Sequence, residues 1–176
     1  SLLACSIISS VGSTLFASNY DPHIWFDVSN WEQITVFVAD QLSAARPKDK
    51  ALFQANAKAY LLKLQNMKAE IKAEIETLPQ DRRSLVTAHD AFNYFGKAYQ
   101  FDVVGLQGLS TATEAGVQDV QKTAAYIIDH KVKAVFIESS VPKRTVEALQ
   151  AAVNSKNHQV KIGGTLFSDA LGNPGT

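Results

Sequence analysis

The sequence is poor in the residues and motifs that mark several common classes of protein. Its one cysteine, Cys5, excludes an internal disulfide framework and a metal or redox site of the CxxC type. The motifs GxGxxG, GxxxxGK[ST], GxSxG and HExxH are all absent, so neither a phosphate-binding glycine loop nor a common hydrolase signature is indicated. No run of apolar residues reaches the roughly 18 that a membrane-spanning helix needs.

An excess of charge of one sign is also lacking. The 17 Lys and Arg residues balance 17 Asp and Glu residues, so the formal net charge is zero. This balance excludes nucleic acid as a partner, because binding to phosphates requires a local excess of basic residues. The chain is nevertheless 46% hydrophobic and 19% charged, a composition typical of a folded globular protein of its 176 residues.

Methionine is scarce too, since Met67 is the only one and the chain opens at Ser1. We therefore expect that an N-terminal segment was removed or that this is a piece of a longer protein. Residues 1–20 are apolar, rich in serine and free of charge, and Leu2–Cys5 is similar to the end of a bacterial lipoprotein signal with an acylated cysteine. The alternative is an ordinary buried or loop segment, which the absence of a basic region and a long apolar region favours.

Two helices are predicted in the next part of the chain. The first covers residues 29–46, is capped by Ser29 or Asn30, and is so apolar around its circumference that it needs cover on more than one side, which suggests self-association. The second covers about residues 48–78, where apolar residues step by three or four without a break. At 1.5 Å per residue it is roughly 45 Å long, which is typical of a strut between two bodies or of half a coiled coil.

From Ser84 onward, short β-rich runs alternate with helices, which predicts a parallel, Rossmann-like α/β sheet. In such sheets the ligand site lies beyond the carboxyl ends of the strands. The predicted strands are 84–88, 101–104, 134–138 and 159–162, the predicted helices are 92–99, 114–130 and 142–154, and Gly163-Gly164 is expected to follow the last strand.

Several polar residues near the predicted strand ends are candidates for a functional site. His89 is expected to lie at a helix N-terminus, where the helix dipole favours a neutral imidazole that suits a metal ligand or a base, or else a capping role. Asp169, in a glycine-flanked loop, is either a ligand or part of a solvated turn. His23, fixed by Pro22, is a ligand or a structural histidine, and Glu138 is expected to form a local pair.

Five motifs in order resemble the cluster A-I metal-binding lipoproteins of bacterial ABC transporters. They are DPHIWFD (21–27), LVTAHDAF (85–92), GLQGLST (105–111), VFIESS (135–140) and GGTLFSDALG (163–172). The resemblance implies a solute-binding protein of two α/β lobes joined by a long helix, with Zn²⁺ or Mn²⁺ as bound cargo and a membrane ABC permease as partner. It also implies His23, His89 and Asp169 as metal ligands, with Glu138 beside the site.

The chain departs from this family in ways that shape its expected organisation. Family members begin with an N-terminal lobe that carries one more histidine ligand, and no histidine precedes His23. We therefore expect residues 1–46 to be a remnant of the N-terminal lobe, 47–79 the connecting helix and 80–176 the C-terminal lobe. With one ligand missing, metal binding is expected to be weaker than in an intact relative.

Three functions remain open from the sequence. The leading one is a non-enzymatic protein, anchored as a lipoprotein outside the cytoplasmic membrane, that captures a metal for import. The alternative is a metal-dependent hydrolase in which an open coordination position activates water and Glu138 or Asp90 is the general base. A purely structural fragment with an inactive site is the third.

Overall fold

The computed structural model describes residues 20–173, so the lipoprotein-like Leu2–Cys5 lies outside the described part. Within it, helices and parallel strands alternate as expected for an α/β fold. In chain order the elements are α1 (Val28–Ala45), α2 (Lys50–Glu76), β1 (Ser84–His89), α3 (Asn93–Tyr99), β2 (Asp102–Gln107), α4 (Val117–Asp129), β3 (Ala134–Glu138), α5 (Arg144–Asn154) and β4 (Lys161–Leu166), with short 3-10 turns at Ile24–Phe26, Pro47–Asp49 and Gln80–Arg82.

The four strands form two parallel pairs, β1 with β2 and β3 with β4. β1 also lies against β3, so the spatial order is β2, β1, β3, β4. All four strands therefore end at the same edge, and this edge holds the residues that follow them. The α/β fold class expected from the sequence is confirmed, although hydrogen bonding divides the strands into two pairs.

The main hydrophobic core lies between the strands and helices α4 and α5. Its members are almost completely inaccessible to solvent, and they alternate along the strands and recur at helical spacing along the helices. They include Val86, Ala88, Leu106, Ala124, Ile127, Val135, Val146, Leu149 and Val153. Because this core is closely packed, the strand ends and the residues that directly follow them are held in fixed positions.

The glycine pair in β4 differs from the expectation that it follows the strand. Gly163 and Gly164 lie inside β4. The register between β3 and β4 shifts at this point, so that Phe136 pairs with Gly164 and Gly163 pairs with no residue of β3. A Cβ on Gly163 would lie 2.6 Å from the Phe136 ring, and Gly164 has a φ of 152°. These glycines therefore allow an irregularity in the last strand before the loop of Asp169.

Helices α1 and α2 form an antiparallel pair beside the α/β unit. Lys68, in the second half of α2, donates to Ser29 Oγ at 2.7 Å and contacts Glu32 Oε2 at 3.3 Å, both in the first turns of α1. α2 has 27 residues and is about 40 Å long. The long helix predicted by periodicity is present, while the division of the chain into lobe remnant, connecting helix and lobe stays a prediction.

Two expectations for α1 are wrong. Its N-terminus is capped by Asp27, whose side chain accepts a hydrogen bond from the Ser29 backbone at 2.8 Å, rather than by Ser29 or Asn30. Self-association through residues 29–46 is not supported, because the helix is not apolar over its length: one side packs on α2, and exposed Gln33 and Asp40 interrupt the rest. None of the helices in residues 20–173 has the length and hydropathy needed to cross a membrane.

Candidate metal centre

Three predicted site residues from distant parts of the chain meet at the carboxyl edge of the strands. One ligand atom each from His23, His89 and Asp169 lies within 4.8 Å of the others. His23 Nε2 is 3.4 Å from Asp169 Oδ1, and His89 Nε2 is 3.3 Å from Asp169 Oδ2. Both imidazoles are buried, while the side chain of Asp169 is 31% exposed. The arrangement is a small polar pocket with its carboxylate toward solvent.

Each of the three residues reaches the pocket by a different local structure. His89 is the last residue of β1, one residue beyond the predicted strand end, and is fully buried at the sheet edge. Asp169 lies in the loop three residues after the end of β4. His23 precedes the 3-10 turn Ile24–Phe26, and its backbone N–H donates to Asp21 Oδ1 at 2.9 Å, which closes a tight turn in this segment.

Both histidines turn the same ring nitrogen toward a carboxylate. His23 Nδ1 is 2.7 Å from Asp21 Oδ1, and His89 Nδ1 is 2.5 Å from Glu138 Oε2. A carboxylate at Nδ1 favours the proton on that nitrogen and leaves the Nε2 lone pair for a ligand. The Nε2 atoms are the ones that face Asp169, so both rings are oriented as metal-ligating histidines are.

Three buried polar atoms at the pocket make no well-aligned hydrogen bond among the residues that the structure describes: His89 Nδ1, His89 Nε2 and Glu138 Oε2. His89 Nδ1 and Glu138 Oε2 face each other at 2.5 Å, whereas His89 Nε2 has Asp169 Oδ2 at 3.3 Å. A buried ring nitrogen that lacks a well-aligned partner is costly, and such atoms commonly mark a site that another group completes. A cation placed between this nitrogen, His23 Nε2 and the Asp169 carboxylate would satisfy it.

The pKa of His89 differs from the sequence-based expectation, which was that the imidazole is kept neutral. Burial by itself lowers the pKa of His89, but hydrogen bonding and charge from Glu138, with a further contribution from Asp169, more than offset it, so the pKa is raised. Burial by itself raises the pKa of Glu138, yet hydrogen bonds from His89 and Ser168 lower it overall. The helix predicted after this strand is present, but α3 begins at Asn93, so His89 is four residues before its first residue.

The two carboxylates considered as general bases are placed differently. Both oxygens of Glu138 face His89, since Oε1 accepts from the His89 backbone N–H at 2.8 Å and Oε2 contacts its ring. The expected local pairing of Glu138 is therefore a pairing across 49 residues. Asp90 lines a separate cavity beside β2 and is not part of the three-residue group. Neither carboxylate is available to activate a water in the pocket.

The residues that support the ligands were less visible in the sequence than the ligands. Asp21 is two residues before His23, a spacing that permits the observed backbone turn. Trp25 Nε1 donates to the Ser168 carbonyl at 2.8 Å, and the hydroxyls of Ser140 and Ser168 are 2.8 Å apart. The two serines follow predicted strands and lie within the motifs VFIESS (135–140) and GGTLFSDALG (163–172), but no sequence feature indicated that they meet. His130 and His158 lie outside the pocket.

The donor set of two imidazole nitrogens and one carboxylate suits a borderline divalent cation. Zn²⁺ and Mn²⁺ both accept this combination, and three protein ligands leave at least one coordination position for a further group. Asp21, Glu138 and Asp169 also concentrate negative charge around the pocket, which favours a cation over an anion. The geometry and charge therefore fit capture of a metal ion.

Comparison with known proteins agrees with the interpretation of the pocket as a metal site. The family described as "ZnuA: Zinc-uptake complex component A periplasmic" matches residues 8–176. The chain is 47% identical to the zinc-binding protein TroA of Treponema pallidum over 93% of its own length and 53% of that protein. It is 43% identical to the manganese-binding lipoprotein MntA of Bacillus subtilis over 89% of its length and 51% of that protein.

A solved structure gives the same result for the fold. The solved structure of the periplasmic zinc-binding protein TroA from Treponema pallidum superimposes with a TM-score of 0.85 over 92% of this chain and 58% of that chain, at 47% identity. The resemblance found in the five sequence motifs is thereby confirmed. The chain spans about half the length of the two relatives.

Proposed function

The chain belongs to the ZnuA family of periplasmic zinc-uptake components, and we propose that it captures a divalent transition metal for an ABC importer. The observation that carries the proposal is the convergence of His23, His89 and Asp169, whose ligand atoms lie within 4.8 Å of one another. Buried carboxylates behind both imidazoles support it, because they orient the free Nε2 atoms toward one point.

Zinc and manganese are the proposed cargo, with zinc favoured. The relatives compared above are named for zinc and for manganese. Two imidazoles in a set of three ligands favour the softer Zn²⁺, whereas Mn²⁺ prefers oxygen donors. The carboxylate partners of both rings increase their basicity as ligands, which strengthens binding of either ion.

The proposed place of action is outside the cytoplasmic membrane. The family description names a periplasmic component, and one relative is named a lipoprotein. In its full-length form the protein would be anchored as a lipoprotein and would deliver the ion to a membrane permease. In this proposal α2 is the connecting helix between two lobes, which limits their relative motion because a continuous helix of 27 residues is stiff.

A hydrolase function has no comparable support. Members of the family are metal-binding transport proteins, and both oxygens of Glu138 are engaged by His89 rather than directed at a water. The proposal therefore assigns no reaction to the site.

The proposal is tested by zinc titration of the chelator-treated chain in a calorimeter at pH 7. We expect one ion per chain, with a lower Kd for zinc than for manganese. His23→Ala, His89→Ala and Asp169→Ala should each raise the Kd for zinc by at least about tenfold, which corresponds to 1.4 kcal/mol. The matched control is His130→Ala, because His130 is exposed and stacks on Tyr126 away from the pocket.

Thermal unfolding of each metal-free variant establishes that the loss of binding is not a loss of folding. Tight stoichiometric binding that survives His23→Ala would refute the proposed ligand set. No binding of either ion to the unmodified chain would refute the function.

A further inference from the structure

The loop that carries Asp169 is held less directly than the strands that carry its neighbours. β4 ends at Leu166, so Asp169 has no strand hydrogen bonds of its own, and its side chain is 31% exposed. To bind the same ion as the two imidazoles, the carboxylate must nevertheless stay near its present distances of 3.4 and 3.3 Å from their Nε2 atoms. Its position therefore depends on what fixes the neighbouring residue, Ser168.

Ser168 is held from two sides although it belongs to a loop. It is 3% exposed, its carbonyl accepts from Trp25 Nε1 at 2.8 Å, and its hydroxyl is 2.8 Å from Ser140 Oγ. The Ser140 contact ties the loop to the residues that follow β3. The Trp25 contact ties it to the segment of His23, across 143 residues.

Trp25 contacts both His23 and the loop that carries Asp169. It lies two residues after His23, and the two rings meet edge to face with centroids 5.3 Å apart. Its indole N–H then reaches the backbone of the residue before Asp169. A shift of Trp25 would move the Asp169 loop and the His23 ring relative to each other.

We propose that Trp25 is a positioning residue, whose hydrogen bond to the Ser168 carbonyl holds Asp169 at the distance from His23 that metal binding requires. This inference rests on the proposed function and deepens it. Trp25 would not touch the ion, and its effect on affinity would pass through Asp169. Release of the ion would then begin with the Asp169 loop, because this ligand is held by side-chain contacts of the neighbouring Ser168 and not by a strand.

The first test is Trp25→Phe, which keeps an aromatic ring and removes the N–H donor. We expect the Kd for zinc to rise about tenfold, mainly through faster dissociation into a chelator, as is usual for partners behind a metal ligand. Tyr126→Phe is the matched control, because it also keeps a ring and removes one donor, a hydroxyl that contacts Ser84 Oγ and Asp102 at the opposite end of the strands. The control should bind zinc as the unmodified chain does.

Two further measurements separate positioning from a general structural effect. In the Asp169→Asn background, Trp25→Phe should change the Kd less than twofold, because the residue through which it acts is already altered. In the metal-free chain, Trp25→Phe should accelerate hydrogen exchange of the backbone amides at 167–170, with little change in the amides of β1. Additive effects on the Kd in the double variant would overturn the coupling.

Different experimental results would contradict the positioning role of Trp25 and the proposed function. An unmodified chain that binds no zinc overturns the proposed function. A Trp25→Phe variant whose zinc affinity and loop exchange both match those of the unmodified chain overturns the positioning role and leaves the function standing.

Discussion

The two histidines of the pocket obtain the same orientation from unlike surroundings. The partner of His23 is Asp21, two residues away and 16% exposed, so the pair forms within one turn of chain. The partner of His89 is Glu138, on another strand, and both side chains are fully buried. A buried pair depends on each member, because loss of one leaves the other without compensation in a medium that solvates it poorly.

Replacement of Glu138 by glutamine is therefore expected to cost stability even without metal. The amide keeps the shape but removes the charge that faces His89, so the free energy of unfolding in urea should fall by about 2 kcal/mol. Glu147→Gln is the control, since Glu147 makes an exposed pair with Lys143 at 3.3 Å, and it should change stability by less than about 0.5 kcal/mol.

The pH dependence of this difference follows from the lowered pKa of Glu138. A carboxyl whose pKa is lower in the folded state stabilises the fold above its unfolded value of 4.5, and this contribution is lost as the pH falls through the folded value. The gap between the unmodified chain and Glu138→Gln should therefore narrow in acid. Equal unfolding free energies for the two at pH 7 would contradict the buried-pair interpretation.

The helices and strands were largely predictable because their signals are local. The stepping of apolar residues predicted a helix at 29–46 where α1 spans Val28–Ala45, and β3 occupies the predicted 134–138. Features that depend on distant contacts were not predictable. The passed-over Gly163 accommodates the Phe136 ring of another strand, and no local pattern signals such a contact.

At the candidate site, too, local signals were predictable and contacts between distant residues were not. The strand-end rule and the family motifs pointed to His23, His89 and Asp169 before any geometry was known. Glu138 was expected beside the site, but its contact with His89 across 49 residues was not predicted, nor was the contact of Trp25 with Ser168 across 143. Pairs so far apart are created by the order of the strands, and a single sequence contains that order only indirectly.

The turn after β1 depends on a glycine in the neighbouring strand. A Cβ on Gly105 would lie 2.5 Å from the Asp90 nitrogen and 2.7 Å from the His89 carbonyl carbon, both backbone atoms that cannot rotate away. Gly105→Ala should therefore lower the free energy of unfolding by about 3 kcal/mol and weaken zinc binding, because His89 must shift. Gly108→Ala meets no atom within 4 Å and should be nearly neutral. Similar urea midpoints for the two variants would rule out the close approach as a constraint.

Burial is unevenly distributed over the molecule. α1 and α2 bury few of their 18 and 27 residues, whereas β1 is buried over its last four residues and packs within the main core. The segment of residues 20–28, which leads into α1, lies over the sheet edge. It joins the two parts through His23, Trp25 and the packing of Phe26 on Phe92, whose ring centroids are 4.3 Å apart. A metal in the pocket would link this segment to the sheet directly.

Zinc is therefore expected to stabilise this junction more than either part alone. At a free zinc concentration about 100 times the Kd, openings that break the site should become costlier by roughly 2.7 kcal/mol, and those that leave it intact should be unaffected. Hydrogen exchange of the unmodified chain should slow on zinc addition at residues 20–28, 89–91 and 167–170, with no change in the middle of α2. In His23→Ala the slowing at 20–28 should disappear. If zinc instead slowed exchange evenly along α2, the ion would be acting on the whole fold, and the junction would have no special role in holding it.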